Sequence, residues 1–154
     1  MHSYYLQLAV DQAAANVQAG GGPFAAVLVK EQTIIASAGN RVTADLDPTA
    51  HAEILAIRAG CRAVGDFQLN DCILYCSCEP CPMCLGAIYW ARLAAVYYAC
   101  SRSDAAQAGF DDQFIYQELG KAESARQLPM RRLQIAGADL PFKAWLDLAA
   151  RRAY

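Results

Sequence analysis

The feature that most constrains this chain is a dense cysteine cluster at residues 76–84, which reads CSCEPCPMC. Within it, Cys81 and Cys84 form a Pro-Cys-x-x-Cys motif, and a spacing of three residues places both side chains on the same side of a helix. His51 opens an earlier apolar run with helical spacing. One imidazole and two thiolates give a zinc ion three protein ligands and leave its fourth tetrahedral position open. The sequence therefore predicts a catalytic metal site with one Zn²⁺ per chain, bound by His51, Cys81 and Cys84.

A carboxylate stands two residues after the predicted histidine ligand. By itself, Glu53 would be read as an acidic group that interacts favourably with the dipole of the first helical turn. The combination of His-x-Glu with a later Pro-Cys-x-x-Cys, however, is typical of zinc deaminases, in which the glutamate transfers protons and does not bind the metal. We therefore interpret Glu53 as a catalytic proton shuttle.

Two other interpretations of the cysteine cluster fit the sequence less well. A closed structural site built from Cys76, Cys78, Cys81 and Cys84 would crowd four ligands into nine residues and leave His-Ala-Glu unexplained. A thioredoxin-like redox pair lacks the usual surrounding pattern. Cys76 and Cys78 remain possible competitors for the metal. The remaining thiols lie in apolar segments and are expected in the core: Cys61, Cys72 and Cys100.

Composition sets the class of protein and its expected compartment. The chain has 154 residues, 56% hydrophobic and 18% charged, which suits one globular domain. A formal net charge of −2 leaves no electrostatic footprint for a nucleic-acid backbone, so no nucleic-acid partner is expected. Seven cysteines, an odd number with four in one motif, indicate free thiols and metal in a reducing compartment. We find no signal peptide pattern and no apolar run of about 18 residues, and we expect a cytoplasmic protein without a membrane partner.

Helical and strand patterns alternate along the chain. Helices are predicted from about residue 3 to Gly20, from His51 to Gly65, from Pro82 to Trp90 and over 140–149. Strands are predicted over 24–29 and 34–38, as a hairpin buried on both faces, and over 72–76, 93–99 and, as an edge strand, 133–136. This alternation predicts an α/β fold, a three-layer α/β/α sandwich with a central mixed sheet of about five strands.

Four longer stretches resemble the cytidine deaminase-like superfamily and, within it, the bacterial guanine deaminases. They are residues 47–53, 68–75, 77–92 and 105–116. The likeness extends from the Gly-Gly-Pro-Phe turn to the terminal tyrosine and is weakest over residues 121–140. The resemblance implies a cytidine deaminase-like fold and hydrolysis of the small purine base guanine to xanthine and ammonia. Hydroxide on the zinc ion would attack the ring carbon between N1 and N3.

The resemblance also implies where the purine binds. Phe24 would stack on its face, and Asn40 would hold its edge by hydrogen bonds. Ala52 and Trp90 are further expected substrate contacts. From the residues alone, Asn40 is a turn residue that follows Gly39.

One acidic residue and the C-terminal tyrosine complete the expected pocket. The resemblance implies that Asp112 contacts the guanine amino group and shares in proton transfer, and that Tyr154 closes the pocket. From the residues alone, Asp112 is a helix N-cap and Tyr154 a frayed terminus. Asp111 is adjacent to Asp112, and the choice between them rests on the resemblance only.

The resemblance further implies a homodimer. Some relatives of this type place the C-terminal segment over the active site of the neighbouring subunit. We therefore expect a single deaminase domain over residues 1–154 whose segment 138–154 is exchanged in a dimer, with residues 121–140 as the hinge.

Three alternative functions are considered. A tRNA adenosine deaminase shares the zinc motif but needs a basic surface, for which Arg131, Arg132, Arg151 and Arg152 are the available residues. Deamination of another small ring, such as cytosine, guanosine or an ammeline-type triazine, depends on pocket size, which the sequence does not give. A non-catalytic zinc-binding relative is disfavoured because Glu53 is retained.

Overall fold

The computed structural model describes residues 1–110 and 112–154, so Asp111 lies outside the described residues. The chain forms two compact units, a first unit of Met1–Tyr116 and a second unit of Gln117–Tyr154. The helices are α1 (His2–Gln18), α2 (Val42–Asp45), α3 (Ala52–Val64), α4 (Pro82–Trp90), α5 (Arg102–Gln107), α6 (Gln113–Leu119) and α7 (Leu140–Asp147). The strands are β1 (Ala25–Lys30), β2 (Thr33–Gly39), β3 (Cys72–Cys78) and β4 (Ala95–Cys100). No helix of these described ranges is long and apolar enough to span a membrane.

The strands of the first unit form a mixed sheet in the order β2-β1-β3-β4. Strand β1 pairs antiparallel with both β2 and β3, and β3 pairs parallel with β4. The described residues thus form four strands where about five were expected. The predicted edge strand at 133–136 is wrong, because this segment is irregular, and a short apolar alternation does not by itself form a strand.

Helices cover both faces of the sheet, which confirms the three-layer α/β/α arrangement. On one face, Tyr5 and Ala9 of α1 pack against Val27, Val29 and Tyr75. On the other face, α3 and α4 close a larger core against the alternate residues of the same strands. That core includes Ala26, Leu28, Ala56, Ile57, Leu74, Cys76 and Ile88. Because successive side chains of a strand point to opposite faces, β1 and β3 contribute residues to two separate apolar layers.

The two outer strands are much more exposed than the two inner ones. In the hairpin, β1 is buried on both faces as predicted. The same prediction for β2 is wrong, since Ile34 is 43% exposed and Ala36 is the one buried residue of this strand. Strand β4 forms the opposite edge, and Cys100 on it is exposed rather than a core thiol. Cys72 on inner strand β3 is buried as expected, and Cys61 is half-buried. Strand order, and not local hydrophobicity, decides this difference.

The two helices on the larger core begin at predicted metal ligands. His51 is the N-cap of α3, and Cys81 is the N-cap of α4, with Pro82 at its first position. Helix α3 is followed by its C-cap, Gly65, whose φ of 75° belongs to the left-handed region that favours glycine. Helix α4 is the crossover between the parallel strands β3 and β4, so its first turn follows directly on the end of β3. Ligand sites in α/β folds form at such carboxyl ends of parallel strands.

The second unit contains the end of α6, a short 3₁₀ turn (Glu123–Ala125) and α7. Polar contacts organise its first part: Glu118 forms an ion pair with Lys121, and its other carboxylate oxygen accepts a hydrogen bond from the Gln127 amide. Almost all its side chains are exposed, including large apolar ones. Among them are Leu133, Ile135, Phe142 and Leu146, at 79%, 71%, 72% and 63% exposure.

The contact between α3 and β1 leaves no room for a side chain at residue 60. A Cβ at Gly60 would overlap the Cδ2 atom of Leu28, which is fully buried. We expect Gly60→Ala to lower the free energy of unfolding by about 1–3 kcal/mol, because a close-packed core must shift to accept the methyl group. Urea denaturation of the metal-loaded protein measures this change.

The matched control is the double variant Gly60→Ala with Leu28→Val, which removes the overlapping methyl group. It should lose less stability than the sum of the two single variants. Additive losses would show that the Gly60–Leu28 contact is not the cause.

Candidate active site

Three potential metal ligands converge at the N-termini of α3 and α4. The Nδ1 atom of His51 lies 3.6 Å from Sγ of Cys81 and 3.5 Å from Sγ of Cys84. The ligand atoms of the three residues all lie within 4.8 Å of one another. Within residues 1–110 and 112–154, this is the one group of three or more His, Cys, Asp or Glu side chains that converges in this way. Cys76 and Cys78 are not part of it.

The spacing of these atoms fits a tetrahedral zinc ion. Zinc bonds of about 2.3 Å to sulfur and about 2.0–2.1 Å to nitrogen, at a tetrahedral angle, separate the two ligand atoms by about 3.5 Å. The observed sulfur–nitrogen distances are 3.6 and 3.5 Å. A set of one imidazole and two thiols is also typical of zinc sites. His51, Cys81 and Cys84 would therefore hold the ion through Nδ1 and the two Sγ atoms.

Electrostatics already favour a thiolate at this position. Hydrogen bonding from Cys84, together with hydrogen bonding from His51, lowers the pKa of Cys81 to about 4. The pKa of Cys84 is raised, first because it donates its proton to Cys81 and second because it is buried. The hydrogen bond between His51 and Cys81 raises the pKa of His51. The N-terminus of α4 adds partial positive charge beside Cys81. The site thus stabilises negative charge on the sulfur of Cys81, as a cation site should.

Glu53 is a buried carboxyl in the first turn of α3. It is 7% exposed, and burial raises its pKa. The negative charge of the nearby Cys81 raises this pKa further. A carboxyl group with a raised pKa can take up and release a proton closer to neutral pH.

A cavity of about 540 Å³ opens beside the metal ligands within the first unit. This volume lies in the range of ligand pockets that enclose a small molecule. Its wall combines aromatic rings with a few polar groups, among them Phe24, Phe110, Asn40, Glu53, Arg102 and Asp112.

Three of the predicted substrate contacts line this cavity together with His51 and Glu53. Phe24 packs edge to face on Phe110, with ring centroids 4.9 Å apart and an interplanar angle of 86°. Asn40 accepts a hydrogen bond from the Val42 amide at its Oδ1 atom, at 3.2 Å, which fixes its carboxamide.

Asp112, the third of these contacts, precedes α6. Its carbonyl oxygen accepts hydrogen bonds from the amides of Ile115 and Tyr116, as expected at a helix N-cap. Burial raises the pKa of its carboxyl, and the charge of Cys81 adds to this, while Arg102 opposes it. Asp112 therefore combines the N-cap position with a place on the cavity wall.

The other predicted contacts do not line the cavity of this unit. Ala52 is completely buried in the core that α3 and α4 form. Trp90 ends α4 and is 60% exposed. Tyr154 belongs to the second unit. Their proposed contacts with substrate stay predictions.

Two charged lining residues, Glu79 and Arg102, were not predicted from the sequence. Glu79 directly follows β3, and its Oε2 atom accepts a hydrogen bond of 3.0 Å from the Arg102 amide. The guanidinium of Arg102 lies 4.6 Å from the ring centroid of Tyr116, whose hydroxyl donates to the carbonyl of Pro80. Their positions in the sequence could have indicated them, because each residue follows the end of one of the two parallel strands, β3 and β4.

The fold and the ligand set together define a class of zinc enzyme. Residues 1–100 match the family model of the cytidine and deoxycytidylate deaminase zinc-binding region. The chain belongs to this family of zinc-binding deaminases, and zinc is its metal.

Individual relatives extend this similarity. The chain is 53% identical to the guanine deaminase of Bacillus subtilis (strain 168) over 154 residues, which is 99% of each protein. The X-ray structure of a Bacillus subtilis guanine deaminase superimposes with a TM-score of 0.98 and covers 100% of this chain and 99% of that one. A tRNA-specific adenosine deaminase of Aquifex aeolicus (strain VF5) is 41% identical over 96 residues, 62% of this chain and 64% of the relative. The structure of NE0047 in complex with 2,6-diaminopurine is 32% identical, covers 73% of this chain and 63% of that one, and has a TM-score of 0.69.

Removal of any one metal ligand should release zinc. We expect His51→Ala, Cys81→Ala and Cys84→Ala each to weaken zinc binding by more than about 100-fold, because two remaining ligands do not complete a tetrahedral site. Elemental analysis of the purified variants measures the metal content.

Cys61→Ala and Cys78→Ser serve as matched controls. The Sγ atom of Cys78 donates to the carbonyl of Ser101 at 3.5 Å, and that of Cys61 to the carbonyl of Phe67 at 3.8 Å. Both controls should keep one zinc ion per chain. Full zinc occupancy in a variant that lacks His51, Cys81 or Cys84 would contradict the assignment.

Proposed function

We propose that this protein is a zinc-dependent guanine deaminase, a hydrolase that converts guanine and water to xanthine and ammonia. The observation that carries the proposal is the cavity that a buried carboxyl, Glu53, and a second carboxyl, Asp112, line together with the metal ligands His51 and Cys81. The full-length similarity to a guanine deaminase of Bacillus subtilis supports guanine as the substrate.

The reaction requires a nucleophile and a route for protons. When bound, zinc lowers the pKa of water towards about 7 and so supplies a nucleophile at neutral pH. Glu53 accepts a proton from this water as the carbon–oxygen bond forms at the carbon between N1 and N3. Glu53 delivers this proton to the ring nitrogen N3, where it stays. It then takes the second proton of the water, now on the added hydroxyl group, and transfers it to the exocyclic amine, because amide ion is not a viable leaving group. The carbon–nitrogen bond then breaks and ammonia departs.

The cavity wall suits a flat heteroaromatic ring. Phe24 stacks on one face of the purine, and Phe110, which packs on Phe24, extends that apolar surface. The carboxamide of Asn40 binds the edge of the base, and Asp112 binds the amino group and shares in proton transfer. In this proposal Ala52, Trp90 and Tyr154 complete the contacts to substrate.

A second candidate is deamination of adenosine in tRNA. The same motif and the similarity to the tRNA-specific adenosine deaminase of Aquifex aeolicus favour it, but that similarity covers only 62% of this chain. The net charge of −2 does not suit a polyanionic substrate. Ammonia release from a panel of free bases, nucleosides, triazines and tRNA separates these candidates. Release from tRNA alone, or from cytosine, guanosine or ammeline but not from guanine, would overturn the guanine proposal.

Loss of the proton shuttle should abolish turnover and leave the metal in place. We expect Glu53→Gln to lower kcat for ammonia release from guanine by about 10²–10⁴-fold, because the amide cannot accept the proton of water. Zinc content should stay at the native level. An exposed carboxylate in the β1–β2 turn offers the matched control, Glu31→Gln, which should keep native kcat. Native turnover in Glu53→Gln would contradict the role of Glu53.

The proposal includes a homodimer of single-domain chains, residues 1–154, in which segment 138–154 is exchanged. Two sets of exposed side chains support it. The first unit presents Tyr89, Trp90 and Tyr98 on α4 and β4, at 71%, 60% and 48% exposure. The second unit exposes the apolar residues of its irregular segment and α7. Such surfaces are typical of subunit interfaces. Seven free cysteines suit the reducing cytoplasm, where we place the enzyme in purine catabolism.

A mixing experiment tests the exchange. One chain carries Glu53→Gln, and the other lacks Tyr154; each should be inactive alone. If the C-terminal segment is exchanged, a mixed dimer contains one complete site, and a refolded equimolar mixture should regain about a quarter of native activity for random pairing. Mixed dimers that form but stay inactive would contradict the exchange. A fully active monomer in light scattering would contradict the dimer.

A further inference from the structure

One asparagine of α1 joins two segments of the cavity wall. The Nδ2 atom of Asn16 donates hydrogen bonds to the carbonyl oxygen of Gly22, at 2.7 Å, and to that of Asn40, at 2.9 Å. Gly22 belongs to the glycine turn that follows α1, and Asn40 follows the end of β2. A single half-buried carboxamide therefore bridges segments that are far apart in the sequence.

The bridge continues through the backbone into a closed ring of hydrogen bonds. The amide of Phe24 donates to the carbonyl of Gly22 at 2.9 Å, and the amide of Asn40 donates to the carbonyl of Phe24 at 2.9 Å. Asn16 closes this ring. Gly22, Phe24 and Asn40 all line the cavity, whereas Asn16 stands behind them and is not a lining residue.

Two glycines lie so close to the side chain of Asn16 that a Cβ atom at either position would overlap it. A Cβ at Gly39 would lie 2.5 Å from Oδ1 of Asn16, and a Cβ at Gly21 would lie 2.9 Å from its Cγ atom. Neither glycine has the positive φ that L side chains rarely adopt; in the same turn, Gly20 does, with a φ of 87°. Gly21 and Gly39 are thus required by the close approach of the carboxamide and not by backbone conformation.

We propose that Asn16 is a positioning residue for the base-binding wall, a role that rests on the proposed function. It fixes the ring of Phe24 and the carboxamide of Asn40 relative to each other, so that the face and the edge of one flat base meet both at once. A turn with three consecutive glycines is otherwise costly to order when a ligand binds. The metal ligands and Glu53 stand at the N-termini of α3 and α4, which pack on the larger core.

The decisive variant is Asn16→Asp, which keeps the shape but replaces the two donors with a carboxylate facing two carbonyl oxygens. With guanine as substrate, KM should rise by about tenfold and kcat should stay within about twofold, since binding and not chemistry is affected. Zinc content should not change.

The matched control is Gln12→Ala, one helical turn earlier. Gln12 forms a side-chain hydrogen bond with Ser37 on β2, the strand that also carries Gly39. Neither Gln12 nor Ser37 lines the cavity. It should lower the melting temperature at most and leave KM unchanged. A lower melting temperature with unchanged KM in Asn16→Asp would reduce Asn16 to a structural contact and overturn the proposal.

A double-mutant cycle tests the same geometry independently. Gly39→Ala should raise KM as Asn16→Asp does, because the new methyl group displaces the carboxamide. In an Asn16→Ala background, Gly39→Ala should add little further change. Equal effects of Gly39→Ala in both backgrounds would overturn the proposal.

Hydrogen exchange separates this inference from the proposed function. In the zinc-loaded protein, Asn16→Asp should speed exchange of the Phe24 and Asn40 amides, while the amides of β3 exchange at the native rate. If the native protein releases no ammonia from guanine, the proposed function fails, and exchange alone then decides the role of Asn16. Native exchange at both amides would overturn it.

Discussion

Everything in the site depends on two helix N-termini that meet at one point. His51 and Cys81 occupy the N-cap positions of α3 and α4, and neither makes a side-chain capping hydrogen bond. Their side chains, which at other helices would satisfy the first-turn amides, turn instead towards each other and towards Cys84. The partial positive charge of the α4 N-terminus then favours the thiolate of Cys81, so ligand geometry and electrostatics have the same structural origin.

The core holds the two helix ends on one face of the sheet. Both helices pack on the same face of the sheet, over the alternate residues of β1 and β3. The crossover from β3 through α4 to β4 places Cys81 only three residues after the end of β3. The chain therefore assembles the ligand positions through apolar packing, and zinc binding adds a second link between segments that are distant in sequence.

Local patterns predicted the metal site well because its information is local. The spacing of Cys81 and Cys84, the proline at position 82 and the terminating Gly65 each act within one helical turn, and the observed helices begin and end where these residues indicate. Strand order is not local. The exposure of β2 and of Cys100 follows from the position of β2 and β4 at the edges of the sheet, and hydrophobicity along the chain does not report that position. The sequence did not predict roles for Glu79, Arg102 and Asn16 for the same reason, since their hydrogen-bond partners are distant in sequence.

The close fit of Asn16 between two glycines also has an evolutionary consequence. Residues 16, 21 and 39 share one small volume, in which a carboxamide occupies the space of two missing methyl groups. A larger residue at either glycine position leaves the carboxamide in place only after the asparagine has become smaller, and the asparagine can take this position only where both glycines already stand. In homologous chains these three positions should therefore vary together, with the order of substitutions restricted, even though they lie far apart in the sequence.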